Sequence, residues 1–560
     1  MISKQPSTAS TDPGGRLTFA QAMANLNPDP SDWAPKTREA AALIERRDFD
    51  PAVALLQDVL KQQPDDVNGL YLAAEIARRR QRLEEALYLF SRCVQLTPEF
   101  QAARFRYANT LLETGQAAAA LAQAEELLRR DSRNPPFLGV KAMALEMLDD
   151  FTGAVSLWQQ VVNSEAPADC WVRYAHVLRT AGKRQEAIAA CRKAIALDPG
   201  WGAAYWALAT VNNYRLEDSD IKEMEAQLAQ PRIAPASRVP LLFALGKTCG
   251  ERKQYEKSFS YYARGNALYR SGLNYAPEKL TAYVERCKAV FTREFFEQRE
   301  SAGCPTREPI FIVGMLRAGS TLVEQILSSH SQIEGTRELF ALTRIATGLQ
   351  LDMARSGLSY PAMLQQVEDA AFRELGEKYL ESTRQHRRLG RAFFLDKMGH
   401  NFKQLGLIHL MLPNAKIIDV RRHPLACCFS NFTQLFANGQ PETYRLSDLG
   451  MLYRDYVGLM AHFDRALPGR VHRVIYENLV ANPEGEIRRL LAHLELPFEP
   501  SCLEFYKNRR AVSTISSEQV RSPIYADALE HWRMYEPWLG PLKTVLGAIA
   551  DEYPNVPAVV

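Results

Sequence analysis

From about residue 36 to 210 apolar positions recur every three and four residues, which predicts helices buried along one face. Glu84-Glu85-Ala86-Leu87-Tyr88-Leu89-Phe90 and Gln185-Glu186-Ala187-Ile188-Ala189-Ala190-Cys191 are two such stretches. A longer rhythm overlies them. Ala52, Ala86, Ala120 and Ala154 stand 34 residues apart, and Ala187 follows at 33. Pro64 and Pro98 share that spacing, and Pro199 fits it after a one-residue deletion. A degenerate helical pair is expected to run from Leu241 to Tyr269, with Ser258 in the alanine place. Beyond Gly303-Cys304-Pro305-Thr306 the pattern changes. Short apolar or β-branched runs at 310–313, 393–395, 416–420 and 471–476 predict strands with amphipathic helices between them, hence an α/β unit with a parallel sheet.

A 34-residue period resembles the tetratricopeptide repeat (TPR), in which two antiparallel helices close together over small residues. The fold expected is α + α/β: a disordered leader over 1–35, a TPR-like solenoid over 36–290, and a P-loop-type α/β domain over 305–555. Such solenoids present a concave face that binds protein or peptide, so the front half reads as a recruiting surface. Homo-oligomerisation is left open.

Composition narrows the classes. The 560 residues are 46% hydrophobic and 24% charged, with net charge +3, a globular balance that does not suit a general nucleic-acid binder. Nine cysteines, without CxxC pairs or metal-like His/Cys spacing, read as buried thiols rather than disulfides or metal ligands. The opening MISKQPSTASTDPGGR has no apolar signal core, and no run of eighteen apolar residues follows. A cytoplasmic protein without a transmembrane segment is the expectation.

Chemistry concentrates in Pro309-Ile-Phe-Ile-Val-Gly314-Met-Leu-Arg317-Ala318-Gly319-Ser320-Thr321-Leu, where a buried strand runs through a glycine-bounded turn into a helix. That arrangement aims backbone N–H groups and the positive end of a helix at one anion. The glycine spacing is that of a nucleotide P-loop, but Ser320 stands where a triphosphatase carries its lysine, and Arg317 offers a guanidinium from the middle of the loop. A second cluster, Arg421-Arg422-His423-Pro424, ends a predicted strand eight residues before Ser430 and suits an anion held by a guanidinium and a hydroxyl.

The loop resembles the 5′-phosphosulfate loop of sulfotransferases that use 3′-phosphoadenosine 5′-phosphosulfate (PAPS). The resemblance extends to about residue 542 and is closest to bacterial TPR-linked enzymes related to protein-tyrosine sulfotransferases. It implies sulfuryl transfer from PAPS to a hydroxyl, with protein or peptide tyrosine favoured, PAP (3′-phosphoadenosine 5′-phosphate) as product, and no metal. It implies cofactor contacts at Gly314, Arg317, Ala318, Gly319, Ser320 and Thr321, and a 3′-phosphate site at Arg422 and Ser430. Tyr476 matches a tyrosine near the nucleotide. Ser516, Ser517, Gln519 and Val520 match a segment folded over it, in which a serine serves the cofactor or transition state. Glu338 matches the catalytic base, ahead of Glu324, and Lys397 matches the lysine that neutralises the leaving phosphate. Catalytic roles thus fall to Glu338, Lys397, Arg317 and Ser517. Leu316, Ala318, His423 and His531 depart from the family pattern, which keeps a catalytically weak PAP-binding TPR scaffold as an alternative. A small-molecule P-loop kinase is a further alternative, opposed by Ser320.

Overall fold

The computed structural model describes residues 17–352, 357–436, 440–508, 510, 519–524 and 529–555. It divides into two compact units, Met1–Val211 and Asn212–Val560.

The described residues of the first unit are helical. Antiparallel hairpins pair Pro35–Glu45 with Phe49–Gln62, Val67–Arg79 with Leu83–Leu96, Gln101–Glu113 with Ala117–Arg130, Pro135–Met147 with Phe151–Val162, and Ala168–Thr180 with Arg184–Leu197. Ala52, Ala86, Ala120, Ala154 and Ala187 are all buried on the second helix of a pair, where a methyl lets the two backbones close. The turn inside each hairpin carries the period too. Arg47, Gln81, Gly115, Asp149 and Gly182 all sit in the left-handed region, with φ between 61° and 78°. The leader expected to be disordered over 1–35 differs from residue 17 onward, because Phe19–Ala24 is a helix and Pro30–Asp32 a 3₁₀ turn. Apolar residues at Phe19, Met23 and Leu26 give that stretch a face to bury, which its polar surroundings obscured.

The second unit is built on five parallel strands: β1 (Pro309–Gly314), β2 (Ile333–Gly335), β3 (Phe393–Lys397), β4 (Lys416–Arg421) and β5 (Val471–Ile475), in the spatial order β2-β3-β1-β4-β5. Every residue of β1 is buried, as its continuous apolar run requires in a sheet covered on both faces. Ile312 pairs with Lys397 on one side, and Gly314 with Val420 on the other. Consecutive strands β3 and β4 flank β1 on opposite sides, so the topology switches at the carboxyl end of β1, where open α/β sheets bind ligands. Three helices matter for the site: α1 (Ser320–Leu327), α2 (Pro424–Phe432) and α3 (Leu446–Ala466).

The degenerate pair is present as Pro235–Glu251 and Tyr255–Ser271, with Ser258 buried in the alanine place and Lys253 left-handed at the turn. The reading of 36–290 groups these helices with the repeats, whereas in space they belong to the sheet-bearing unit. Ser258 Oγ is 3.0 Å from Tyr535 Oη, Asn266 Nδ2 donates to Phe432 O at 2.9 Å, and Arg270 pairs with Asp448 at 2.9 Å. Thr281 donates to Asp455 and Tyr283 to Lys403 O, so the following helix, Glu278–Val290, is bound in as well. These polar ties are specific to this pair and have no counterpart in a periodic alanine pattern.

Candidate active site

Gly314 leaves β1 at φ 137°, and a Cβ there would lie 2.4 Å from Val420 O on β4. Gly319 precedes α1 at φ 103°, and a Cβ there would lie 2.4 Å from the Tyr476 ring. Both glycines are therefore required by conformation and by closeness. Between them Arg317 is held in the left-handed region at φ 64°. No side chain caps α1 at Gly319, and the positive end of the helix points at the loop. The loop is fastened from α2, because Asn431 Nδ2 donates to Leu316 O at 2.7 Å.

Arg317 Nε donates to Ser430 Oγ at 3.1 Å, and Arg422 Nη1 donates to Arg317 O at 3.3 Å. The glycine-bounded loop and the second cluster are thus one cationic surface. Arg422 lies over the Tyr476 ring, 5.1 Å from its centroid, and Tyr453 on α3 donates to Arg422 O at 2.7 Å. Its neighbour Arg421 turns inward, ion-paired with Asp419 at 2.9 Å and packed over Tyr456. Strand alternation separates the two arginines, one for the core and one for the cleft.

A cavity of about 370 Å³ opens on this surface, lined at its polar end by Arg317, Ser320, Thr321, Arg422 and Ser430. Phe429, Phe505, Ile524 and Trp532 supply apolar wall, and Gly319, Tyr476 and Val520 complete the predicted set found there. Gly314 and Ala318 frame the loop without lining the cavity, and Ala318 is packed inside. Tyr476, expected to end a strand, instead opens the helix Tyr476–Ala481, which aims its ring at Gly319. Ser516 and Ser517, and the side chain of Gln519, lie outside the described residues.

Lys397 and Glu338 meet beyond the end of β3, with Lys397 Nζ 2.5 Å from Glu338 Oε1. The lysine side chain is 3% exposed and the glutamate 42%. Neither lines the cavity, but the chain after Lys397 passes against the loop, where a Cβ on Gly399 would lie 2.7 Å from Gly314 O. Asp396, the neighbour of Lys397, is fully buried and accepts from Tyr379 Oη at 2.7 Å. Burial pushes the Asp396 carboxyl up to about 7. Glu324, the rival to Glu338, is buried in α1 and paired with Arg510 at 2.7 Å.

Of the departures, His531 lines the cavity, and burial, with Lys247 and Arg422 nearby, lowers its pKa. His423 stacks on Trp532 at 5.1 Å with planes 13° apart. Among the described residues no group of His, Cys, Asp and Glu could hold a metal ion, and no helix is long and apolar enough to cross a membrane.

Sequence reasoning missed Ala426, Phe429 and Thr433 as lining residues. Together with Ser430 they fall on one face of α2 and its C-cap at helical spacing, so Ser430 itself signals them. Trp532 and Phe505 carried no comparable signal, since they reach the cavity from 3₁₀ turns distant in the chain.

Residues 309–500 match the sulfotransferase family model, and 37–99, 77–144 and 168–200 match tetratricopeptide repeat models. An uncharacterized protein of Aquifex aeolicus is 32% identical over 381 residues, covering 66% of this chain. The chain spans about half that relative's length, 49%. Protein-tyrosine sulfotransferase 1 of Danio rerio is 28% identical over 240 residues, 40% of this chain and 65% of that protein. Among solved structures, the sulfotransferase domain of the Synechococcus PCC 7002 olefin synthase is 21% identical, covering 45% of this chain and 98% of that one, with a TM-score of 0.34.

Proposed function

We propose, for a chain that joins tetratricopeptide repeats to a sulfotransferase-family domain, that it transfers the sulfuryl group of PAPS to a hydroxyl of a protein or peptide, tyrosine first among them. The observation that carries this reading is the single cationic surface made by Arg317, Ser430 and Arg422 at the mouth of an apolar-walled cavity. Gly314 and Gly319, both at positive φ with no room for a Cβ against Val420 O and the Tyr476 ring, fit a tight loop that offers its backbone N–H groups to an anion.

PAPS, when bound, supplies a sulfuryl group on a phosphate leaving group. In this reading Arg317, Ser320 and Thr321 bind its 5′ end, and Arg422 with Ser430 binds the 3′-phosphate. Planar guanidiniums suit such oxyanions, and an apolar wall of Phe429, Phe505 and Trp532 suits a purine. Val520 closes one side of the cavity, and Ser516, Ser517 and Gln519 are proposed as further cofactor contacts. Glu338 receives the proton of the acceptor hydroxyl on its carboxylate, which is open to an acceptor while its Oε1 is held by Lys397. Lys397, nearly enclosed, then brings its ammonium to the charge that develops on the departing side. Arg317, Lys397 and Arg422 together supply the positive charge that a kinase would draw from Mg²⁺.

Calorimetry with PAP and with ATP·Mg²⁺ tests the cofactor. PAP is expected to bind and ATP·Mg²⁺ to bind far more weakly; the reverse order would refute the proposal. Labelled PAPS offered with tyrosine peptides, glycans and small phenols then identifies the acceptor.

A further inference from the structure

In the first unit three pairs of successive first helices touch: Pro35–Glu45 with Val67–Arg79, Gln101–Glu113 with Pro135–Met147, and Ala168–Thr180 with the following helix Gly202–Ala209. Second helices of successive hairpins show no comparable contact. The stack therefore closes up on its first-helix side, which makes that side the concave one.

Residues 18–26 lie on this side. The helix Phe19–Ala24 packs against Pro135–Met147, and Phe19 N donates to Ser164 O at 2.9 Å. Leu26 is buried in one cluster with Phe105, Ala108, Phe137 and Val140 of first helices and Ala124 and Leu127 of a second helix, with Met23, Leu112, Leu128 and Met143 at the margin. Ala22 is fully enclosed. Phe19, Ala22, Met23 and Leu26 follow the spacing i, i+3, i+4, i+7, and residues 17–27 contain no charged side chain. A capping box starts the helix, Thr18 N donating to Gln21 Oε1 at 2.9 Å and Gln21 N to Thr18 Oγ1 at 3.3 Å.

A six-residue helix has no stability of its own in water, so this one exists because the groove holds it. Its buried anchors are few, and it precedes the first hairpin instead of belonging to one. We propose that the groove over Phe105, Phe137, Val140 and Met143 is a receptor for a short, uncharged amphipathic helix of a partner protein with that apolar spacing. Residues 18–26 are its resident mimic, displaced when the partner helix binds. The tether keeps the mimic at an effective concentration on the order of millimolar, so a partner must exceed that competition to dock. The inference is independent of the sulfotransferase reading.

Fluorescence anisotropy with a labelled peptide of residues 16–29 tests it on the full chain. Met23→Asp with Leu26→Asp releases the mimic and is expected to tighten peptide binding at least about tenfold over wild type. Adding Val140→Asp abolishes that binding. Equal binding by wild type and the released variant, or none by a variant that melts like wild type, overturns the proposal. Hydrogen exchange on the unmodified chain gives a second reading that needs no variant. Amides of 19–26 are expected to exchange at least roughly a hundredfold faster than those of Pro135–Met147, and equal protection would make the segment part of the core.

Discussion

Glu338 and Lys397 come from places 59 residues apart in the chain and share one contact of 2.5 Å, so each can be tested through the other. With Glu338→Gln, turnover is expected to fall by roughly 10²- to 10⁴-fold, the usual share of a general base, with PAP affinity changed less than about twofold. Arg317→Ala is expected to do the opposite, weakening PAP by about ten- to a hundredfold through loss of a charge-assisted contact. Steady-state sulfuryl transfer and PAP calorimetry on both variants check the split. His531 sets a pH dependence. Its pKa lies below the ordinary histidine value, so near neutral pH the ring is uncharged beside the anion site. A bound anion favours the charged ring, so binding takes up a proton there and affinity rises as pH falls. PAP titrations between pH 8 and 6 should tighten more in wild type than in His531→Gln, and equal slopes would assign the effect elsewhere.

At the scale of elements, the loop between β1 and α1 depends on backbone room. Gly314→Ala would press a methyl against Val420 O, part of a central strand that cannot yield, and would do so at φ 137°. A loss of about 1–3 kcal/mol is expected, read as a lower melting temperature, together with loss of PAP binding. This loop, β1, β3, β4, β5 and the repeat helices were legible because long apolar runs and strict periods are strong local signals. β2 was not, because Ile333-Glu334-Gly335 is too short for a pattern and forms only by pairing with β3. Its buried Glu334 accepts from Leu389 N at 2.6 Å, a bond made across the fold. Arg510 escaped for the same reason, since its partner Glu324 stands 186 residues earlier. Where the helical pair at 235–271 belongs is likewise decided by Ser258, Asn266 and Arg270, which look unremarkable in sequence until their partners are seen.

For the whole molecule, the border of the repeating pattern and the border of the folded unit differ. Residues 212–560 expressed alone are expected to fold cooperatively and bind PAP with wild-type affinity. A chain starting at 291 should fail to fold, having lost the partners of Tyr535, Phe432 and Asp448. Thermal melts and calorimetry on the two fragments check this. The left-handed turns at Arg47, Gln81, Gly115 and Asp149 recur at the same 34-residue beat as the alanines. A segment copied or cut at that beat meets an identical seam at both ends, so the array can change length by duplication or deletion without redesigning a neighbour. The front of this chain is thus an adjustable ruler, free to be respaced in descent or by engineering while the sheet-bearing half keeps its own helices.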